Sequence, residues 1–280
     1  MIFIYKTCSR YSTYPVMSLF VYYSFFCFVW TFSVYRQGLA LTIGVYYLLK
    51  CLEESKFRKI IIVSIILSFI HTSALLLIIL YLLARIDYSK RALIIISVVS
   101  GAISFLPIGK IVASFSSIGI IDRMMPYISN EYSISGLLDF KSISRIAFLV
   151  IGLFFYNALR KKDYINNVIV KLYILSLILY FVFKFSELTA SRTSIYGFYL
   201  LILILPNIYS LYEEKVDKVI YVLLFVFLSS IYFVKELSTM KNLSGMKYEG
   251  TRVPYTSIIR KDDVDFDNIY TRVLKDEGNY

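Results

Sequence analysis

Apolar stretches follow one another along the chain from residue 17 to residue 234, separated by short polar joints. Apolar windows of roughly 20 residues are typical of helices that cross a membrane. The pattern predicts an all-α fold, a polytopic transmembrane bundle of about eight membrane helices, some of them short or re-entrant. These helices are predicted at residues 17–34, 39–52, 59–84, 91–107, 145–159, 167–185, 195–212 and 218–234.

The polar stretches predict how the chain is divided. Residues 1–16 form a polar N-terminal segment without a cleavable signal-peptide pattern, so the first span is expected to direct insertion. Residues 17–234 form the polytopic membrane domain, and residues 108–144 are a long interfacial loop within it. Residues 235–280 are predicted to be a polar C-terminal tail.

The charge of the joints bears on topology. Four short joints are rich in Lys and Arg, as is typical of the cytoplasmic side of a membrane protein: residues 50–59, 84–91, 160–163 and 213–218. All four can share that side only if residues 59–84 enter and leave on the same side. A hairpin broken at "SFIHTSALL" is favoured over one tilted span, and it would put Arg36 and His71 outside.

Composition excludes several classes of protein. The net charge is +11, but Lys and Arg fall mainly in the joints and no RNA- or DNA-binding motif is present, so no nucleic-acid partner is expected. The one histidine and the scattered cysteines show no paired metal-ligand spacing. We therefore predict neither a metal nor a cofactor.

Arg36 and Gln37 stand between two apolar runs, where a turn would be expected. An arginine at the centre of the bilayer costs roughly 2.5 to 3.5 kcal/mol on insertion scales, so Arg36 is predicted at the membrane surface, before the helix at 39–52. It can bind an anion there or simply extend toward water. The Gln37 amide suits a sugar hydroxyl and equally a hydrogen bond between helices.

His71 lies within the most apolar stretch of the chain. An ionisable group at such a position is a functional candidate, although a neutral histidine can also join two helices by a hydrogen bond. Glu187 and Arg192 lie in a polar joint, where Ser191 or Thr193 could cap the incoming helix and an anion could bind near Arg192. An ordinary polar turn is the alternative.

The interfacial loop carries further charged candidates. Its carboxylates could serve as a base, although loop carboxylates are mostly solvated. The charged residues in question are Asp122, Arg123, Glu131 and Asp139.

Three ordered motifs together resemble a known family. They are Arg36–Gln37 after one span, His71 with Ser73–Ala74 in a later one, and Ser191–Arg192 opening a helix that reaches Pro206. In the identity, order and spacing of these motifs, the chain resembles the EpsG-like membrane proteins, a branch of the Wzy-type polysaccharide repeat-unit polymerases. Pro254–Tyr255 is similar to a Pro-Tyr pair that many members carry after the last span.

The resemblance implies an activity and a location. Undecaprenyl-diphosphate-linked oligosaccharide units would be joined into a capsule, exopolysaccharide or O-antigen by glycosyl transfer at the outer face of the bacterial cytoplasmic membrane. Arg36 and Arg192, with Gln37, would bind the diphosphate and sugar. His71, Glu187 or a loop carboxylate would be the base, or His71 would instead bind the diphosphate. A flippase and a chain-length regulator are candidate partners beside membrane lipids.

Relatives in that family usually begin with further spans and an outward loop that this chain lacks. Two interpretations follow, a truncated product that is inactive as it stands or a misplaced start. Two other functions remain open, a membrane acyltransferase that modifies the polysaccharide and a glycolipid transporter or flippase. No residues point to an acyl-donor route, and no internal repeat favours a transporter.

Overall fold

The protein is helical throughout the part of the chain that its computed structural model describes, residues 1–106 and 139–243. Candidate residues Asp122, Arg123 and Glu131 and the pair Pro254–Tyr255 lie outside these ranges. A π-helix, Tyr23–Ser33, continues α2, and a 3-10 turn, Thr72–Leu75, precedes α5. The α-helices in the described ranges are α1 Ile2–Tyr11, α2 Pro15–Tyr22, α3 Tyr35–Glu53, α4 Phe57–Ser68, α5 Leu76–Arg85, α6 Lys90–Ile103, α7 Phe140–Lys162, α8 Tyr164–Val182, α9 Glu187–Phe198, α10 Leu201–Tyr209 and α11 Lys215–Leu243.

Several of these helices are long and apolar enough to cross a membrane. Within the described ranges there are four, Pro15–Ser33, Phe140–Lys162, Tyr164–Val182 and Lys215–Ser238. A fifth is added if α9 and α10, bent by 43° at a short break, are one span. The chain is therefore a helical membrane protein, but the predicted number of about eight membrane helices is not confirmed.

Helix α8 is the centre of the compact unit Met1–Leu237. It contacts α7 and α9 along most of its length and also touches α3, α5 and α6. Of its most apolar window 78% is buried, against 17% for the window in α11. The continuous apolar sequence of α8 thus packs against protein, whereas most of the apolar surface of α11 is left for lipid.

Residues 59–84, predicted as one helix with a break near its middle, form two helices that fold back on each other. Helix α4 has 12 residues, which is about 18 Å of helix and well short of a hydrocarbon core of roughly 30 Å. The chain turns at residues 69–71, and α5 returns so that the ring centroids of Phe57 and Tyr81 lie 5.3 Å apart. The break is confirmed, and the two halves form an antiparallel hairpin.

The four basic joints meet at one end of the bundle, which we call the basic end. Tyr164 donates a hydrogen bond to the Leu52 carbonyl at 3.4 Å, which connects the third joint to the first. Arg160 donates to the Tyr88 carbonyl at 3.1 Å, which connects it to the second. Lys162 donates to Ser210 at 2.7 Å, beside the fourth. The hairpin returns to this end, and the residues between its halves point to the opposite end.

All three of the predicted polar segments are partly helical in the structure. The segment 1–16 contains the helix α1, whose Ile4 and Cys8 are buried. Helix α7 begins at Phe140 rather than at 145, so the last residues of the predicted loop 108–144 are helical. Helix α11 continues past 234 to Leu243, into the predicted tail. Hydropathy fails at these positions because polar helical turns at bundle ends are stabilised by caps and ion pairs.

Asp139 is such a cap. Its Oδ2 accepts a hydrogen bond from the Ser142 backbone N at 3.1 Å, and its Oδ1 accepts one from Lys184 Nζ at 2.8 Å. Burial raises the pKa of Asp139, but the hydrogen bonds from Lys184 and Ser142 outweigh it and hold the pKa below its ordinary value. The Lys184 side chain is only 3% exposed, so this carboxylate is occupied by a structural ion pair. Asp139 is therefore a capping and ion-paired residue rather than a solvated loop carboxylate, and its role as a base stays a prediction.

Candidate functional site

Arg36 and Gln37 lie in the first turn of α3, which begins at Tyr35 and not at 39 as predicted. The next residue is Gly38, at which a Cβ atom would lie 1.8 Å from the Trp30 carbonyl oxygen in the π-helix. Only glycine permits this approach, so the start of α3 sits directly against the preceding segment. As a result Gln37 is fully buried, while Arg36 stays exposed beside it.

His71 occupies the turn between the two halves of the hairpin, with an extended backbone at φ −153°. Its Nδ1 accepts a hydrogen bond from the Ser73 backbone N at 3.3 Å and lies 2.6 Å from Ser73 Oγ. An imidazole nitrogen that accepts from a backbone N–H carries no hydrogen of its own, so the neutral ring holds its hydrogen on Nε2. Nε2 is therefore a hydrogen-bond donor.

Two arginines lie close enough to act on this imidazole. Burial lowers the pKa of His71 from its ordinary 6.5, and the positive charges of Arg192 and then Arg36 lower the pKa further. The ring is half-buried and belongs to none of the candidate spans. His71 is accordingly neutral at pH 7, with two guanidinium groups in its neighbourhood.

Gln37 connects the three motifs of the sequence. Its Nε2 donates hydrogen bonds to Ser73 Oγ at 3.2 Å and to the Arg192 backbone carbonyl at 3.1 Å. Ser73 Oγ also lies 3.1 Å from the hydroxyl of Tyr196. We call these five residues, Gln37, His71, Ser73, Arg192 and Tyr196, the Gln37 network. Sequence reasoning did not find Tyr196, whose one signal was its place four residues after Arg192 on the same helix.

A cavity opens beside the network at the end of the bundle opposite the basic end. Its volume is about 450 Å³. Arg36, Gln37 and His71 line it together, so three of the predicted site residues share one wall. The remaining lining residues are Ser33, Val34, Tyr35, Ser68, Phe69, Ile70 and Thr72.

Helix α9, which carries Arg192, starts earlier than predicted. It begins at Glu187 and not at 195, and its cap is Ser186, whose Oγ accepts a hydrogen bond from the Thr189 backbone N at 3.3 Å. Ser191 instead donates to Glu187 at 3.2 Å, and Thr193 donates to a carbonyl of its own helix. The prediction that Ser191 or Thr193 caps this helix is wrong, because both lie within it.

Glu187 lies at the same end of the bundle but does not line the cavity. Its Oε1 accepts a hydrogen bond from Lys141 Nζ at 2.9 Å, which forms an ion pair between α7 and α9. The Tyr180 hydroxyl approaches its other oxygen at 3.4 Å. The structure therefore brings Arg36, Gln37 and His71 together around a cavity and Arg192 next to them, but it leaves Glu187 in a separate cluster.

The chemistry of this arrangement suits an anion. An exposed guanidinium can hold two oxygens of a phosphate or carboxylate at once, and a neutral imidazole N–H can donate to a third. In residues 1–106 and 139–243 no group of three or more His, Cys, Asp or Glu side chains comes together.

Comparison with family models identifies the family of the chain. The model of the EpsG family matches the chain over residues 1–257, a range that contains every residue of the Gln37 network. No curated protein and no solved structure matches the chain.

Proposed function

The chain belongs to the EpsG family, and from this premise we propose that it polymerises lipid-linked oligosaccharide repeat units into a surface polysaccharide. The donor in this proposal is a growing sugar chain on undecaprenyl diphosphate, and the acceptor is a hydroxyl of the next unit. The observation that carries the proposal is the cavity that Arg36, Gln37 and His71 line, with Arg192 beside it.

Charge distribution supports an orientation for this reaction. The four joints rich in Lys and Arg lie together at the basic end, and such joints stay on the cytoplasmic side. The cavity is at the opposite end, and therefore opens to the outer face in this orientation. Lipid-linked oligosaccharide units are presented at the outer face of the bacterial cytoplasmic membrane. We therefore assign the protein to that membrane.

The arginines can stabilise the negative charge that develops during the transfer. When the bond between the sugar and the diphosphate of the carrier breaks, negative charge builds on the departing diphosphate. A planar guanidinium that is already in place can hold two phosphate oxygens and stabilise that charge. Arg36 is exposed on the cavity wall, and the charge of Arg192 reaches the same imidazole. We assign both to the diphosphate and the Gln37 amide to their positioning.

His71 is better suited to donate a hydrogen bond than to act as a base. Its Nδ1 is occupied by Ser73, so the nitrogen left for the substrate is the protonated Nε2 of a neutral ring. Such a group can donate a hydrogen bond to a diphosphate oxygen but cannot accept a proton from a sugar hydroxyl. The base in this proposal is then a carboxylate, and our candidate among the described residues is Glu187, which would have to exchange its ion pair with Lys141 for the acceptor hydroxyl.

Polysaccharide length in cells tests the proposal. A strain that lacks the gene is restored with the wild-type chain, with Arg36→Ala, or with Arg91→Ala as a control, since Arg91 is an exposed arginine at the basic end. We expect a ladder of long polymers from the wild type and the control, and single lipid-linked units from Arg36→Ala at equal membrane abundance. Deletion that leaves polymer length unchanged would overturn the polymerase. Loss of acyl groups alone would assign an acyltransferase.

A further inference from the structure

A second, larger concavity lies between α3 and α4 at the basic end, and we call it the α3–α4 groove. Its volume is about 950 Å³. Most of its wall is apolar, and two of the isoleucines on it, Ile62 and Ile66, are 59% and 58% exposed. The residues that line it are Ile43, Tyr47, Ser55, Lys56, Phe57, Arg58, Lys59, Ile62, Val63, Ile66 and Leu67.

The groove has a charged end and an apolar end. Lys56, Arg58 and Lys59 come from the joint and the first turn of α4, whereas Ile62 and Ile66 follow one and two turns later on the same helix. Residues spaced by three or four positions share one face of a helix. The groove therefore runs along α4 from a cationic rim into an apolar channel.

The cationic rim has more positive than negative charge. Glu54 is 3.0 Å from Lys56 Nζ and 3.9 Å from the Nζ atoms of both Lys50 and Lys59. One carboxylate thus faces three ammonium groups. Arg58 adds a guanidinium that forms no ion pair with any residue in the described ranges. The rim can accept a further anion without displacing Glu54.

Local geometry holds the rim over the groove. Ser55 adopts the left-handed conformation, with φ 54°, which is uncommon for a residue with a side chain. It lies in the short connection between α3 and α4. The Lys59 ammonium lies 5.7 Å from the centre of the Tyr47 ring on the opposite wall, a cation–π contact that spans the groove.

We propose that the α3–α4 groove binds an anionic glycerophospholipid, with its phosphate at Lys56, Arg58 and Lys59 and an acyl chain along Ile62 and Ile66. Charge complementarity favours this occupant, since a zwitterionic lipid would bring its own cation to a rim that already has an excess of cations. The groove also ends at the basic end, where the phosphates of one leaflet lie. The site is independent of the polymerisation reaction proposed above.

A fluorescent probe inside the groove tests the assignment. Trp30→Phe removes the one native tryptophan, and Tyr47→Trp then places an indole on the groove wall. The purified full chain is reconstituted in vesicles with brominated acyl chains, which quench an indole on contact. We expect brominated phosphatidylglycerol to quench at a lower mole fraction than brominated phosphatidylcholine does, with about a fivefold higher relative affinity or more.

Charge variants test whether the cationic rim causes the preference for phosphatidylglycerol. In Lys56→Ala/Arg58→Ala/Lys59→Ala the preference for phosphatidylglycerol should fall on the order of fivefold for each cation whose contact is lost. The control Lys90→Ala/Arg91→Ala removes two cations at the same end outside the groove, one half-buried and one exposed, and should keep the preference. The conservative Lys56→Arg/Lys59→Arg should keep it too.

Two results would overturn the site. One is equal quenching by the two brominated lipids in the probe protein itself, a result that needs no charge variant to fold. The other is release of phosphatidylglycerol quenching by a small mole fraction of undecaprenyl phosphate, which would assign the groove to the isoprenoid carrier.

Discussion

Gln37 on α3 donates a hydrogen bond at 3.1 Å to the backbone carbonyl of Arg192 on α9, across 155 residues of chain. The same Nε2 also reaches Ser73 Oγ, so a single buried amide joins α3, the turn of the hairpin and α9. Gln37 itself is fully buried. The glutamine of the Arg-Gln motif therefore has a structural position that holds the arginines in place, and Arg36 is the one that faces the cavity.

Loss of this amide should affect stability and polymerisation together. Gln37→Leu keeps the approximate size but removes the hydrogen bonds that Gln37 Nε2 donates to the Ser73 hydroxyl and the Arg192 carbonyl. We expect a decrease of about 1–3 kcal/mol in the free energy of unfolding, measured by denaturation in detergent, and shorter polymers. Thr42→Val is the control, since the Thr42 hydroxyl donates to the Leu39 carbonyl within its own helix. An unchanged denaturation midpoint in Gln37→Leu would contradict the bridging role.

The variant His71→Asn distinguishes the roles of the two ring nitrogens. Asparagine can still accept from the Ser73 backbone N, but it has no donor at the position of Nε2. We expect this variant to stay folded and to lose on the order of ten- to a hundredfold in polymer formation, the effect of one hydrogen bond to a charged group. Full activity in His71→Asn would exclude His71 from binding the diphosphate.

The same residue should make stability depend on pH. The pKa of His71 is lowered in the folded protein from 6.5, so the unfolded chain binds a proton at a higher pH than the folded one does. Stability is then fully present above about pH 6.5 and decreases as the pH falls through that value toward the folded pKa. Melting temperatures measured between pH 7.5 and 5.5 should fall less in His71→Asn. Identical slopes in both proteins would refute the linkage.

Gly197 should tolerate no side chain. A Cβ atom there would lie 2.5 Å from the Leu172 backbone carbonyl oxygen of α8, one residue away from Tyr196 in the network. Gly197→Ala should separate α8 from α9 and lower the free energy of unfolding by about 1–3 kcal/mol. Gly101→Ala is the matched control, because nothing lies within 4 Å of its Cβ position. A Gly197→Ala protein as stable as Gly101→Ala would contradict the close packing of these helices.

The hairpin predicts sidedness that thiol labelling can measure. Single cysteines replace Lys56, Lys90 or Phe69 in a chain whose three native cysteines have been removed. Because Lys56 and Lys90 flank the hairpin at the basic end, a membrane-impermeant reagent should label both from the same side. Phe69, 83% exposed at the turn, should react from the other side if at all. Labelling of the Lys56 and Lys90 positions from opposite sides would reject the hairpin.

The sequence by itself determined the helical membrane class, the presence of α8 and α11 but not their ends, and Arg36, His71 and Arg192 as candidate site residues. Those conclusions depend on hydropathy and residue order, which are local properties. It also indicated that residues 59–84 are broken, because four basic joints had to share one side.

Only the tertiary structure decided how these residues meet. The early start of α3 depends on Trp30 and Gly38 in contact, and that of α9 on a serine cap, neither of which a hydropathy window detects. Tyr196 lies in the Gln37 network, whereas Glu187 lies outside it and pairs with Lys141. The packing of the helices, and not spacing in the sequence, sets the distance between polar groups on different helices. The buried Nε2 of Gln37 needs hydrogen-bond acceptors, and the turn of the hairpin and α9 supply them, so contacts between distant parts of the chain set its position.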